Sequence, residues 1–135
     1  MQAASSYIDK LAWIYIKDKK ILSTRSRGKG VYYIPGGKRE ADETDEQALV
    51  REVKEELTVD LVGPLKHMGI FEAQAHGKPE GTIVRMTCYS SDFTGEIKPA
   101  AEIEEVVWLN YEGKEKSSPV DILIFDDLKN KGLIE

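Results

Sequence analysis

At 135 residues, 41% hydrophobic and 32% charged, the chain has the size and balance of one compact globular domain with an ordinary core, and residues 1–135 read as one unit. A formal charge of −5 argues against a duplex nucleic-acid platform. No run approaches the roughly 20 apolar residues of a membrane span, and the opening MQAASSYIDK lacks the basic-then-apolar layout of a secretory signal. A cytoplasmic address without membrane partners is therefore expected, and the sequence is compatible with a homodimer.

In chain order, LAWIYI from Leu11 to Ile16 is apolar at both parities, which predicts a strand covered on both faces. Lys19 and Lys20 turn the chain into a second strand, ILSTR, and VYYIP makes a third that Pro35, Gly36 and Gly37 terminate. A helix follows over residues 44–57. Thr44 caps it, Gln47 completes a capping box, and Ala48, Leu49, Val53 and Leu57 form its apolar stripe. TVDLV, LKHMGIFEAQA, TIVRMTCYSSDF and IEEVVWLN read as further strands, separated by Gly63-Pro64, HGKPEG and TGEIKPAAE. Cys88 lies in the apolar run IVRMTCY and reads as a core thiol rather than a nucleophile or half of a disulfide. A second helix starts at Ser118-Pro119, with Ser118 and Asp121 as a cap pair, and ends at Gly132 after Lys129 and Lys131. Strands around a central helix, then more strands and a closing helix, predict an α/β domain with a mixed sheet and helices on both faces.

Charge is unevenly spread along this pattern. Glu40, Asp42, Glu43, Asp45, Glu46, Glu52, Glu55 and Glu56 crowd residues 40–56, just after the basic residues Lys17, Lys19, Lys20, Arg25, Arg27, Lys29, Lys38 and Arg39. An acidic cluster beside a basic one suits a metal-plus-phosphate site, although a solvated charged surface accounts for many such residues. Within the first helix Glu52, Glu55 and Glu56 fall on or near one face, where unpaired like charges repel. Arg51 and Lys54 supply part of the balance, so a plain solvated face is one reading. A bound divalent cation is the other: Mg²⁺ takes carboxylate oxygens and keeps sites for substrate phosphates. Gly36 and Gly37 would let the backbone approach the metal or phosphate closely.

The spacing from Gly37 onward resembles the Nudix box, G-x5-E-x7-R-E-U-x-E-E-x-G-U with U aliphatic. Gly37, Glu43, Arg51, Glu52, Val53, Glu55, Glu56 and Val59 take eight of its nine specified positions. Thr58 alone departs, standing where the box has glycine. The resemblance implies a Nudix-like α/β/α sandwich, with a mixed sheet between helices, that hydrolyses a pyrophosphate bond in a nucleoside diphosphate linked to another group. It implies Mg²⁺, with Mn²⁺ as a substitute, bound by Glu52, Glu55, Glu56 and the Gly37 carbonyl. Glu52 or Glu56 is then also a candidate base, and Glu43 and Arg51 form an ion pair that supports the loop.

Outside the box, Arg25 closes the strand ILSTR, and its planar fork suits phosphate oxygens, the alternative being a solvated strand-end arginine. Lys38 and Arg39, directly after the glycines, join it as candidate substrate contacts. Glu102 opens a segment, EIEEVVW, similar to one where some family members place a further catalytic or metal-binding glutamate, and Glu104 and Glu105 compete for that role. His67 and His76 show no ligand spacing. Asp121 is a candidate base contact, although its distance from Ser118 favours capping. Among substrates, a small nucleoside triphosphate giving monophosphate and pyrophosphate leads, ahead of nucleotide sugars and dinucleoside polyphosphates. A nucleotide-binding regulatory module without turnover is a different class, and an unrelated domain with an acidic helix leaves the spacing unexplained.

Overall fold

A computed structural model describes residues 6–135, so the first half of the segment read for a secretory signal lies outside the described residues. The elements are β1 (Ser6–Trp13), β2 (Ile16–Lys17), β3 (Lys20–Ser26), β4 (Gly36–Lys38), α1 (Asp45–Leu57), β5 (Asp60–Gln74), β6 (Thr82–Thr94), β7 (Ile103–Leu109), a short 3-10 helix (Tyr111–Lys116) and α2 (Pro119–Asn130). Four strands form a sheet in the order β4-β1-β6-β5, and three form a second sheet in the order β2-β3-β7. In the larger sheet β1 and β6 run parallel while the outer pairings are antiparallel, which makes it mixed as expected.

The apolar character of LAWIYI at both parities follows from its position between two helices. Leu11 and Trp13 pack with Ala48, Leu49, Val53 and Leu57 of α1. Ala12 and Ile14 pack with Val120, Ile124, Phe125 and Leu128 of α2. Side chains alternate across a strand, so β1 feeds two cores, and the result is the expected α/β/α sandwich. No helix of the described residues is long and apolar enough to cross a membrane.

Several boundaries differ from the sequence reading, each for a tertiary reason. LAWIYI is not one strand: the chain leaves the larger sheet after Trp13 and re-enters as β2 in the smaller one. The break is spanned by Ile14 N–H donating to Tyr89 O and Leu22 N–H to Tyr15 O. VYYIP forms no strand. Tyr33 and Thr24 exchange backbone hydrogen bonds as an isolated bridge, and the next N–H, of Ile34, goes to the Asp121 carboxylate. The strand in this region is instead the glycine segment, where a side chain on Gly36 would collide with the Leu11 carbonyl of β1. TVDLV and LKHMGIFEAQA merge into β5, with Gly63-Pro64 absorbed by an irregularity between Val62 and Lys66, where a missing proline N–H breaks no ladder.

Helix α1 starts as its sequence suggests. Gln47 N–H donates to Thr44 Oγ1 at 3.1 Å and Thr44 N–H to Gln47 Oε1 at 2.9 Å. At its end Thr58 adopts the left-handed conformation, φ 63°, that glycine usually supplies. Two hydrogen bonds hold it there: its N–H donates to Lys54 O and its hydroxyl to Glu96 O, both at 3.0 Å. Helix α2 is capped differently from the sequence reading. Ser118 makes no side-chain cap bond, and Asp121 turns inward to Ile34 N–H.

Candidate active site

The glycine segment and α1 meet along one wall of a cavity of about 410 Å³. Glu52 and Glu56 of α1, Gly36, Gly37 and Lys38 of β4, and Glu102 before β7 all line it. Gly37 owes its identity to this contact, since a Cβ there would run into the Glu52 carboxylate. Glu56 is 8% exposed, and its Oε1 accepts the Gly36 N–H at 3.1 Å. Burial pushes its carboxyl up to about 8; the Gly36 N–H opposes the shift, and the nearby charges of Glu52 and Glu102 add to it. Burial also raises Glu52, with Arg51 acting in the opposite sense.

Arg51 fastens the loop to the helix. Its Nε and Nη2 donate to the two Glu43 oxygens at 2.7 and 2.8 Å, its Nη1 to Glu52 at 2.9 Å, and its Nη2 also to the Lys38 carbonyl at 3.1 Å. This bidentate contact, helped by the Glu40 N–H, holds the Glu43 carboxyl down at about 2. Glu102 reaches the cavity because the chain before it is tied to the end of α1. Ala100 N–H donates to Glu56 O at 2.9 Å and Lys98 N–H to Leu57 O at 3.0 Å.

Gly37, Lys38, Glu52, Glu56 and Glu102 thus share one space, whereas Glu55, Arg25 and Arg39 lie outside its lining. Glu55 has a side chain 54% exposed, with Arg51 at 3.5 Å. Arg25 is occupied by Glu104 at 2.6 Å, Glu105 at 2.8 Å and the Lys29 carbonyl at 3.1 Å, and Tyr32 donates to the same Glu105. Arg39 bridges Asp9, at 3.0 Å, and Asp45 at the start of α1; Asp45 also accepts the Tyr89 hydroxyl at 2.5 Å. His67 packs edge-on against Tyr89. Cys88 is buried, and its burial raises the thiol, as a core cysteine requires.

The sequence reading missed Lys10 and the burial of Asp121, which it weighs as a cap or a base contact. Lys10, at the head of the apolar run, lines the cavity from β1; a lysine at the start of a doubly buried strand was the available signal. Asp121 has no exposed surface, its Oδ1 has no partner, and burial pushes its carboxyl up to about 7, against the Ile34 N–H and the charge of Lys10. Nothing local distinguishes such an acid from a helix cap. For a divalent metal the donor set is suitable: carboxylate and carbonyl oxygens, hard ligands, with a Cβ-free backbone at Gly37 against Glu52. Among the described residues no three acidic, histidine or cysteine side chains are grouped closely enough to hold a metal ion by themselves.

The NUDIX domain family model matches residues 10–121. The chain is similar to the CTP pyrophosphohydrolase of Escherichia coli, 33% identical over 110 residues that make up 78% of this chain and 77% of the relative. It is also similar to the ADP-ribose pyrophosphatase of Methanocaldococcus jannaschii, 32% identical over 93 residues, 66% of this chain but 53% of that protein. Among solved structures, the E. coli ORF135 protein superposes with a TM-score of 0.74 at 28% identity, covering 93% of this chain and 90% of that one. A MutT protein from Methanosarcina mazei shares the fold at a TM-score of 0.77 and 19% identity, covering 97% and 99%. With the box, the sandwich and the family model in agreement over most of its length, the chain belongs to the Nudix hydrolase family.

Proposed function

We propose that residues 1–135 act as one Nudix domain that hydrolyses a nucleoside triphosphate to nucleoside monophosphate and pyrophosphate. The observation that carries this reading is the shared cavity wall of Glu52, Glu56 and Glu102 beside Gly37. Water attacks phosphorus, the bond from phosphorus to the bridging oxygen breaks, and that oxygen leaves with the electron pair. Glu52, Glu56 and the Gly37 carbonyl would hold the metal, with Glu55, outside the cavity lining, as a further carboxylate. When bound, Mg²⁺, or Mn²⁺ in its place, neutralises these groups and offsets charge developing in the transition state. We assign Glu102 the proton of the attacking water. Arg51 and Glu43 keep the glycine segment against α1. The relative named for CTP hydrolysis, of which this chain spans the larger share, supports a triphosphate. The archaeal relative favours a second reading, a nucleoside diphosphate joined to a sugar.

A panel of nucleoside triphosphates, nucleotide sugars and dinucleoside polyphosphates, each with Mg²⁺ and with chelator, tests both readings. Metal-dependent release of monophosphate and pyrophosphate from triphosphates is expected, with Glu102→Gln lowering kcat by about a hundredfold or more and Glu104→Gln by less than about twofold. A larger loss at Glu104 transfers the role, and turnover in chelator defeats the mechanism.

A further inference from the structure

Two cavities meet at one wall. The cavity holding the glutamates and a second one of about 250 Å³, lined by Gln74, His76 and Pro119 among others, share Lys10, Lys29 and Lys38. Lys10 and Lys38 are direct cross-strand partners in the β1–β4 pairing, an arrangement in which like charges destabilise a sheet. The described lysines that form ion pairs are Lys54, Lys98, Lys114 and Lys131; none of the three junction lysines is among them. The Lys10 ammonium lies 5.7 Å from the centre of the Tyr33 ring. Burial lowers its pKa and Lys38 acts the same way, while Asp121 and Glu56 push back. Three lysines without ion-pair partners among the described residues therefore line the wall where the glutamate cavity joins the second one. Lysine serves as a mobile point charge toward phosphate, and several together favour the ligand with the most charge. A terminal phosphate takes a second charge near neutral pH, which a diphosphate capped by a sugar lacks.

We infer that Lys10, Lys29 and Lys38 clamp the terminal phosphate of a nucleoside triphosphate and thereby select it over a sugar-capped diphosphate. The inference rests on the pyrophosphohydrolase reading and deepens it. Kinetics on a nucleoside triphosphate and on ADP-ribose test it, with Lys10→Met, Lys29→Met and, as a control outside both cavities, Lys66→Met. Lys10→Met and Lys29→Met should each lower kcat/KM for the triphosphate at least tenfold, mainly through KM, and for ADP-ribose less than threefold; Lys10→Arg should restore most of the loss. Equal losses on both substrates, or none, overturn the clamp. Calorimetric binding of a methylene-bridged nucleoside triphosphate in Mg²⁺ gives a readout independent of turnover, expected to weaken at least tenfold in Lys10→Met. A parent protein that binds this analogue through Lys10 but hydrolyses nothing ends the catalytic reading and keeps the clamp. Turnover and binding both indifferent to the lysines do the reverse. Thermal melts establish that each variant is folded.

Discussion

Glu56 and Asp121 are two buried acids gripping the same stretch of chain. Gly36 N–H donates to Glu56 of α1, and Ile34 N–H, two residues earlier, donates to Asp121 of α2. Burial raises both carboxyls, to about 8 and about 7. Their surroundings then diverge. Glu56 opens onto a cavity with Glu52 and Glu102, across from a glycine that admits close approach. Asp121 lines no such carboxylate cluster, and its second oxygen is sealed without a partner. A raised pKa therefore marks burial, and the chemistry is marked by which other groups share the space.

Substituting the two acids separates them. Glu56→Gln should lower kcat in Mg²⁺ by at least about a hundredfold, the scale of a lost metal ligand or base. Its melting temperature should stay level or rise, because a buried ionisable group is removed. A Glu56→Gln enzyme with parental kcat erases the contrast.

Asp121→Asn acts on stability through pH. The folded carboxyl titrates at about 7 rather than the ordinary 3.8, so the folded protein holds this proton more tightly than the unfolded chain. Its stabilising contribution is complete below about pH 4 and is lost as pH rises through 7. Asparagine keeps an acceptor for Ile34 N–H but cannot ionise. The variant should gain on the parent between pH 4 and 7, by about 4 kcal/mol at pH 8, with kcat reduced less than tenfold. Denaturant melts across that range check it; a gap independent of pH shows that Asp121 does not titrate there.

The smallest effect is expected at Thr58, which supports the Glu56 side of the comparison from the end of α1. Its left-handed backbone costs about 1–2 kcal/mol for a β-branched residue. The hydroxyl bond to Glu96 O offsets part of this cost, and glycine adds unfolded-state entropy. Thr58→Gly should change stability by no more than about 1 kcal/mol and kcat by less than threefold. A larger fall in kcat means that the tether from Thr58 to residues 96–100 positions Glu102. An inert parent with an active glycine variant means instead that Thr58 has disabled the site.

Helix α1 was legible because its determinants are local: a cap three residues from its partner, an apolar stripe at helical spacing, and box residues close in sequence. The break at Ile14–Tyr15 and the loss of a strand at VYYIP were not. Both follow from bonds to chain far away, Tyr89 in one case and Asp121 in the other. For the same reason Arg25, read as a phosphate contact, is found among Glu104 and Glu105, 79 and 80 residues further along the sequence.

By itself the sequence determined the helix that carries Glu52 and Glu56, encoded within a few turns of chain where spacing dictates geometry, and an α/β domain with helices on both faces; the sandwich and the Arg51–Glu43 support followed from the resemblance to the Nudix box. Tertiary structure alone decided which charged residues face the cavity. The pairing of β1 with β4 sets Lys10 beside Lys38, and the tie from Glu56 O to Ala100 N–H brings Glu102 near Glu56 while Glu104 goes to Arg25. Long-range register and backbone hydrogen bonds select among chemically equivalent side chains, and no local pattern carries that choice.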